Sequence, residues 1–197
     1  MGAYYYLASQ LPYLSYGQKP PMQPEAFKEL ARPMLLSEDA ALLDIISLDP
    51  QPAAALSTGL SYAEQAPSCG CAFIDNWREW ERSFRLNLAR HRAIKAKREG
   101  TALAEPPVVP ADAASAATKA IAAMEAPLEA EILIDKARWA AIDTLQGYNA
   151  FDSNAIFAYL LKLLILQRRD SMRTETGFSE YKSLYASILE SAQGVST

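Results

Sequence analysis

Between Ala155 and Leu166 the chain runs "AIFAYLLKLLIL", twelve residues of which only Lys162 is charged. Nothing else in the sequence restricts the fold as tightly, because so much apolar surface must be covered by a membrane, by the chain itself or by a partner. A helix that spans a bilayer needs about twenty predominantly apolar residues. This run is far shorter, which predicts a buried helix rather than an anchor. On a helical wheel Ala155, Ala158, Lys162, Arg169 and Arg173 fall within one sector roughly 60° wide. Bulky apolar residues surround that sector, so the expectation is a central helix wrapped by neighbours, with one narrow stripe left exposed.

The remainder of the chain supplies material for the wrapping. Of its 197 residues half are hydrophobic and 21% are charged, which suits one domain, or one domain with a small satellite. A net charge of −4 and a pI near 5.1 argue against a dedicated nucleic-acid binder. The opening "MGAYYYLASQLP" lacks the basic n-region of a secretory signal. Cys69 and Cys71, in "SCGC", stand too close for an unstrained disulfide, so a reduced cytoplasmic protein is expected.

Helical signals recur along the chain. Residues 4–14 read as a short extended or irregular segment ended by Pro12, and "GQKPPMQP" as a loop. Pro24 suits the first turn of a helix, with Glu25 and Glu29 near its positive end. Ser37 is a suitable N-cap for a helix carrying Leu42, Leu43, Ile45, Ile46 and Leu48. The longest helix is predicted over about 75–99, with Asp75 as cap and Gly100 as stop. On it Phe73, Trp77, Trp80, Phe84, Leu88, His91 and Ile94 recur at spacings of three and four and share one face. The alanine-rich and proline-rich stretch 102–126 has helix propensity but few large apolar side chains, and reads as a weakly anchored helix or a mobile connection. Pro127 opens another helix to about Leu145, with Leu128, Ile132, Trp139, Ile142 and Leu145 inward. After "GYNAFDS" and the apolar helix, a last helix is predicted over about 178–192. The expected class is all-α: a bundle of about six or seven helices. It divides into an N-terminal half (1–101), a connection (102–126) and a C-terminal half (127–197), either packed as two halves or as one domain.

Chemistry is thinly represented. The single histidine, His91, lies on the aromatic stripe, where a structural role outweighs general-base work. Cys69 and Cys71 lack a second ligand pair at zinc spacing. No catalytic, cofactor-binding or metal residue is therefore expected; a small enzyme using His91, Asp135 and a cysteine is the minor alternative. The long helix ends in Arg90, Arg92, Lys95, Lys97 and Arg98, which point all round the cylinder and oppose the negative end of its dipole. They read first as a solvated helix end that complements the dipole, and second as a candidate contact for an acidic partner protein. Asp135 falls in the middle of an apolar stripe, where an unpaired carboxylate would cost several kcal/mol. A structural ion pair is expected, with Lys162, His91 or an arginine of the long helix as its partner.

Taken in order, "YYYLASQLPYLS", "FIDNWREWERSFRLNLARHRAIKAKREG" and "IDKARWAAIDTLQGYNAFDSNAIFAYLLKLLILQRRDSM" resemble an uncharacterised bacterial family encoded among the subunits of V/A-type rotary ATPases. Members of that family are regarded as counterparts of the C-type subunit (d-type in eukaryotes). The resemblance covers most of the chain apart from its alanine-rich middle, although the chain is much shorter than the three-repeat funnel of the true C-type protein. It implies a non-catalytic helical part, without cofactor, on the cytoplasmic face of the inner membrane. Its partners would be the central-stalk subunits and the proteolipid ring. It would couple ATP hydrolysis or synthesis to ion transport, with an assembly or scaffold factor of the same complex as the alternative.

Overall fold

Pro24 and Pro127 each occupy the first turn of a helix, where a missing N–H costs nothing and a fixed φ is already helical. The computed structural model describes residues 4–48, 67–98 and 115–173. Among them there are seven α-helices and no strand, so the chain is all-α, as expected. They are α1 (Tyr5–Gln10), α2 (Pro24–Ala31), α3 (Ser37–Leu42), α4 (Ala72–Arg98), α5 (Ser115–Ala123), α6 (Pro127–Gln146) and α7 (Ser153–Arg173). A 3-10 turn at Arg32–Met34 follows α2, where Pro33 cannot donate to the helical ladder. Gly100 and the helix predicted over 178–192 lie outside the described residues.

The apolar run of α7 forms the axis of the fold. Ile156, Phe157, Ala158, Leu160, Leu161, Leu163, Ile165 and Leu166 are all buried. Both α2 and α6 pack on it, and Phe73 of α4 meets Phe157 with ring centroids 6.3 Å apart. α6 returns antiparallel to α7 through Gly147, whose φ of 73° and ψ of −156° only glycine adopts readily. Trp77 of α4 ties down the chain after α3 by donating to the Ser47 carbonyl at 3.0 Å. The main core thus joins Leu7, Phe27, Leu43 and Trp77 to Ile142 and the buried face of α7.

A second, smaller cluster sits between α4, α5 and α6: Phe84, Leu88, Ile121, Ala122, Ala130 and Ile134. Trp80 bridges the two clusters, stacked between Trp77 at 5.6 Å and Phe84 at 4.9 Å. This revises the reading of the alanine-rich stretch. Ser115–Ala123 is a helix packed on both α4 and α6, with Thr118, Ile121 and Ala122 buried. Small side chains let it approach closely, and Ile121 alone supplies a large apolar anchor. Residues 102–114 lie outside the described residues.

Local structure departs from the expected pattern at several points. Residues 5–10 are helical rather than extended, because Leu7 is buried and the Tyr4 N–H donates to the Phe151 carbonyl at 2.7 Å. Ser37 is inside the first turn of α3 and Leu36 takes the cap position without a side-chain bond. That helix stops at Leu42, since a turn carries Leu43 and Ile46 into the core and leaves Ile45 outside. Asp75 is not the cap of α4, which starts three residues earlier. Its carboxylate reaches back to accept from Ser68 Oγ at 2.6 Å and the Cys69 N–H at 3.0 Å. Leu128, expected inward, is 66% exposed; burial on α6 begins only at Ala130.

Candidate functional site

The most charged part of the interior lies where α4 crosses α6. Glu81 has no exposed surface and accepts from Arg138 twice, with Nη2 at 2.6 Å and Nε at 3.1 Å. Arg85 Nε donates to the same carboxylate at 2.7 Å, and its Nη2 reaches the Leu48 carbonyl at 2.9 Å. Arg138 Nη1 also donates to Asp135 at 3.3 Å. Two carboxylates and two guanidiniums therefore balance in a water-poor site, and this two-for-two arrangement makes burial tolerable. Burial pushes the Asp135 carboxyl above its ordinary range, against the pull of Arg138. Arg138 is held above its usual value: burial lowers it, and its bonds to Glu81 more than compensate.

Asp135 is thus paired, but with a residue not foreseen for it. The partner is Arg138, one turn along the same helix, and α4 contributes Glu81 between the two arginines. A residue three positions away on one helix face already stands within reach, whereas a partner on another helix must be brought there. Lys162 pairs instead with Asp143 at 2.6 Å and lies over the Trp139 ring, 5.5 Å from its centroid. Asp143 is eight residues beyond Asp135 on α6, about 12 Å along the axis. His91 is half-buried, and its Nε2 is shielded from water with no hydrogen-bond partner among the described residues.

The stripe on α7 is covered rather than open, which corrects a second expectation. Ala158 has no exposed surface and Lys162 is mostly buried. Arg169 lies over the Tyr16 ring at 4.7 Å, and Tyr16 meets Trp139 edge-on at 5.6 Å. The Tyr16 hydroxyl donates to the Ile132 carbonyl at 2.9 Å, which fixes the loop before α2 against α6. The two rings thus meet in the middle of this face with a cation on each, each charge lying on a ring's negative π-surface. The side chain of Arg173 lies outside the described residues.

Two exposed regions of contrasting chemistry remain. At the end of α4, Arg90, Arg92 and Lys97 are exposed and Lys95 is half-buried, and none makes an ion pair with a described residue. The side chain of Arg98 lies outside the described residues. This helix end lies beside the start of α6 and the end of α7, where Arg168 pairs with Glu131 at 2.6 Å. Between them is a cleft of about 260 Å³ lined by Arg85, Arg92, Arg138, Arg168 and Glu131 over Phe84, Leu88 and Ile134. Near the α6–α7 turn Tyr5, Tyr6, Tyr13, Tyr148 and Phe151 are exposed, with the Tyr5 and Phe151 rings 4.6 Å apart. Tyr148 and Glu131 are seventeen residues apart, about 25 Å at helical rise. The basic and aromatic regions therefore occupy opposite ends of the α6–α7 hairpin. The cleft and the aromatic end were both missed from sequence. Arg168 and Glu131 are far apart in the chain, and the tyrosines read as ordinary loop residues.

Cys69 and Cys71 are free, and burial raises the Cys69 thiol above its ordinary value. Both precede α4, while His91 lies some nineteen residues along it, about 28 Å away. A site combining His91, Asp135 and a cysteine does not form. Among the described residues no group of three or more His, Cys, Asp or Glu side chains is placed to hold a metal ion. No helix among them is long and apolar enough to cross a membrane. Compared with protein-family models, with curated proteins and with solved structures, the chain matches none of them.

Proposed function

We propose that the chain is a non-catalytic docking component of a V/A-type rotary ATPase, a C-type-like linker between the central stalk and the membrane proteolipid ring. The observation that carries this reading is the two-ended body: a basic end and an aromatic end held about 25 Å apart on one helical hairpin. A linker needs two chemically different surfaces kept at fixed separation. The buried Glu81–Arg138–Asp135 cluster and the packed face of α7 supply that rigidity without offering a reactive group to solvent. The sequence blocks that resemble the ATPase-associated family fall largely on these elements: α1, α4, α6 and α7.

In this role the aromatic end makes the larger contact, since exposed tyrosines bury much apolar area at low entropic cost. The basic end orients the chain on an acidic neighbour. Association with the membrane is then indirect, through the complex, on its cytoplasmic face. The test is purification of the native ATPase after detergent extraction, with the stoichiometry of its components counted. A linker is present at constant stoichiometry in the intact enzyme. Presence only in subcomplexes identifies an assembly factor, and absence from both refutes the reading.

A further inference from the structure

From Arg82 to its end at Arg98, α4 carries no acidic residue, in a chain whose net charge is −4. The positive charge is concentrated where that helix borders the cleft beside α6 and α7. Within the cleft the arginines differ in how far they are engaged. Arg85 and Arg138 are held by Glu81, and Arg168 by Glu131. Arg92 is exposed and makes no ion pair with a described residue. The floor is apolar, formed by Leu88 and Ile134.

We propose that this cleft seats an acidic segment of a partner protein, with one carboxylate of the segment entering beside Arg92 and Arg168. The guanidinium of Arg92 offers a planar fork of donors that matches a carboxylate. Lys95, three residues beyond Arg92 and about 60° from it round the helix, adds to the positive field beside the entrance and steers an acidic chain toward it. A nucleic acid fits less well. The ring of Phe84 is buried and offers no face for stacking, Glu131 would oppose a phosphate backbone, and the cations surround the helix instead of tracking a groove. The inference rests on the reading of the molecule as a docking component, but not on which assembly it joins.

The test uses the full chain and a fluorescein-labelled peptide of alternating glutamate and leucine, followed by fluorescence anisotropy. Saturable binding that weakens with salt is expected. Arg92→Glu should weaken it about tenfold and Arg92→Gln by less, whereas Lys19→Glu, on an exposed loop, should leave it unchanged. Circular dichroism checks that each variant keeps its helices. The proposal is overturned by absence of saturable binding, or by equal losses in the Arg92 and Lys19 variants. Tighter binding of a single-stranded DNA of equal charge, or displacement of the peptide by an equal concentration of inorganic phosphate, overturns it as well. Peptide binding by a chain that never accompanies the ATPase refutes the ATPase assignment alone. Copurification that survives Arg92→Glu, with no peptide binding, refutes the cleft alone.

Discussion

Glu81 and Asp135 are both carboxylates without access to water, yet they depend on their surroundings to different degrees. Glu81 accepts three of the strong bonds in the cluster, two from Arg138 and one from Arg85, and its removal takes from both guanidiniums the carboxylate they share. Glu81→Ala should therefore cost about 3–5 kcal/mol, the usual penalty for breaking a buried pair. Asp135 makes one longer bond, at 3.3 Å. Asp135→Asn should cost clearly less, and urea denaturation of the two variants gives the comparison. An equal or larger loss in Asp135→Asn would show that the cluster is organised differently.

The raised carboxyl of Asp135 also fixes the sign of a pH effect. Between the ordinary carboxylate range and its higher folded value, the folded chain holds more protons at this site than the unfolded chain. The contribution of Asp135 to stability is therefore greatest in acid and is lost as pH rises through the folded value. Asp75 runs the other way. Burial pulls it upward, but hydrogen bonds from Ser68 and the Cys69 N–H hold it below the usual range. Its contribution is present above the ordinary range and lost as pH falls through the folded value. Subtracting the stability–pH curve of Asp135→Asn from that of the native chain should leave a difference that declines with rising pH, which isolates Asp135.

Helices here owe their bounds to what they pack against as much as to their sequences. α1 is six residues long, too short to persist alone, and stands because Leu7 is buried and the Tyr4 N–H is bonded to Phe151. α5 is alanine-rich and held by Ile121. Ile121→Ala should cost about 2–4 kcal/mol and loosen α5 before the rest, seen as faster amide exchange over Ser115–Ala123. The turn between α6 and α7 tests backbone geometry without packing. A Cβ on Gly147 would meet nothing within 4 Å, so the cost of Gly147→Ala comes only from its positive φ. That cost is about 1–3 kcal/mol. A neutral substitution, measured by the urea midpoint, would mean that the turn relaxes freely.

For the molecule as a whole, a body with exposed tyrosines at one end should lose partners before it loses its fold. Tyr13→Ser and Tyr148→Ser remove side chains that are almost wholly exposed, and their effect on stability should stay within about 0.5 kcal/mol. Under the proposed function, retention of the chain in the detergent-extracted ATPase should nevertheless fall for the pair together. Full retention alongside unchanged stability would remove the aromatic end from the interface.

The sequence by itself determined the helical class, the starts at Pro24 and Pro127, the burial of the run after Ala155, and the need of Asp135 for a charge partner. These follow from local physics: fixed backbone angles, a 3.6-residue period and the cost of burying an unpaired charge. Only the tertiary structure decided who pairs with whom. Whether Asp135 meets Arg138 or Lys162, whether Ala158 faces solvent or Tyr16 covers Arg169, and whether Arg92 and Arg168 share a cleft all depend on how the helices are set together. Periodicity along one helix carries no information about its rotation against another, because that rotation is chosen by the joint packing of side chains distant in the chain. The candidate cleft and the aromatic end, both made from such distant residues, therefore became visible only once the helices were assembled.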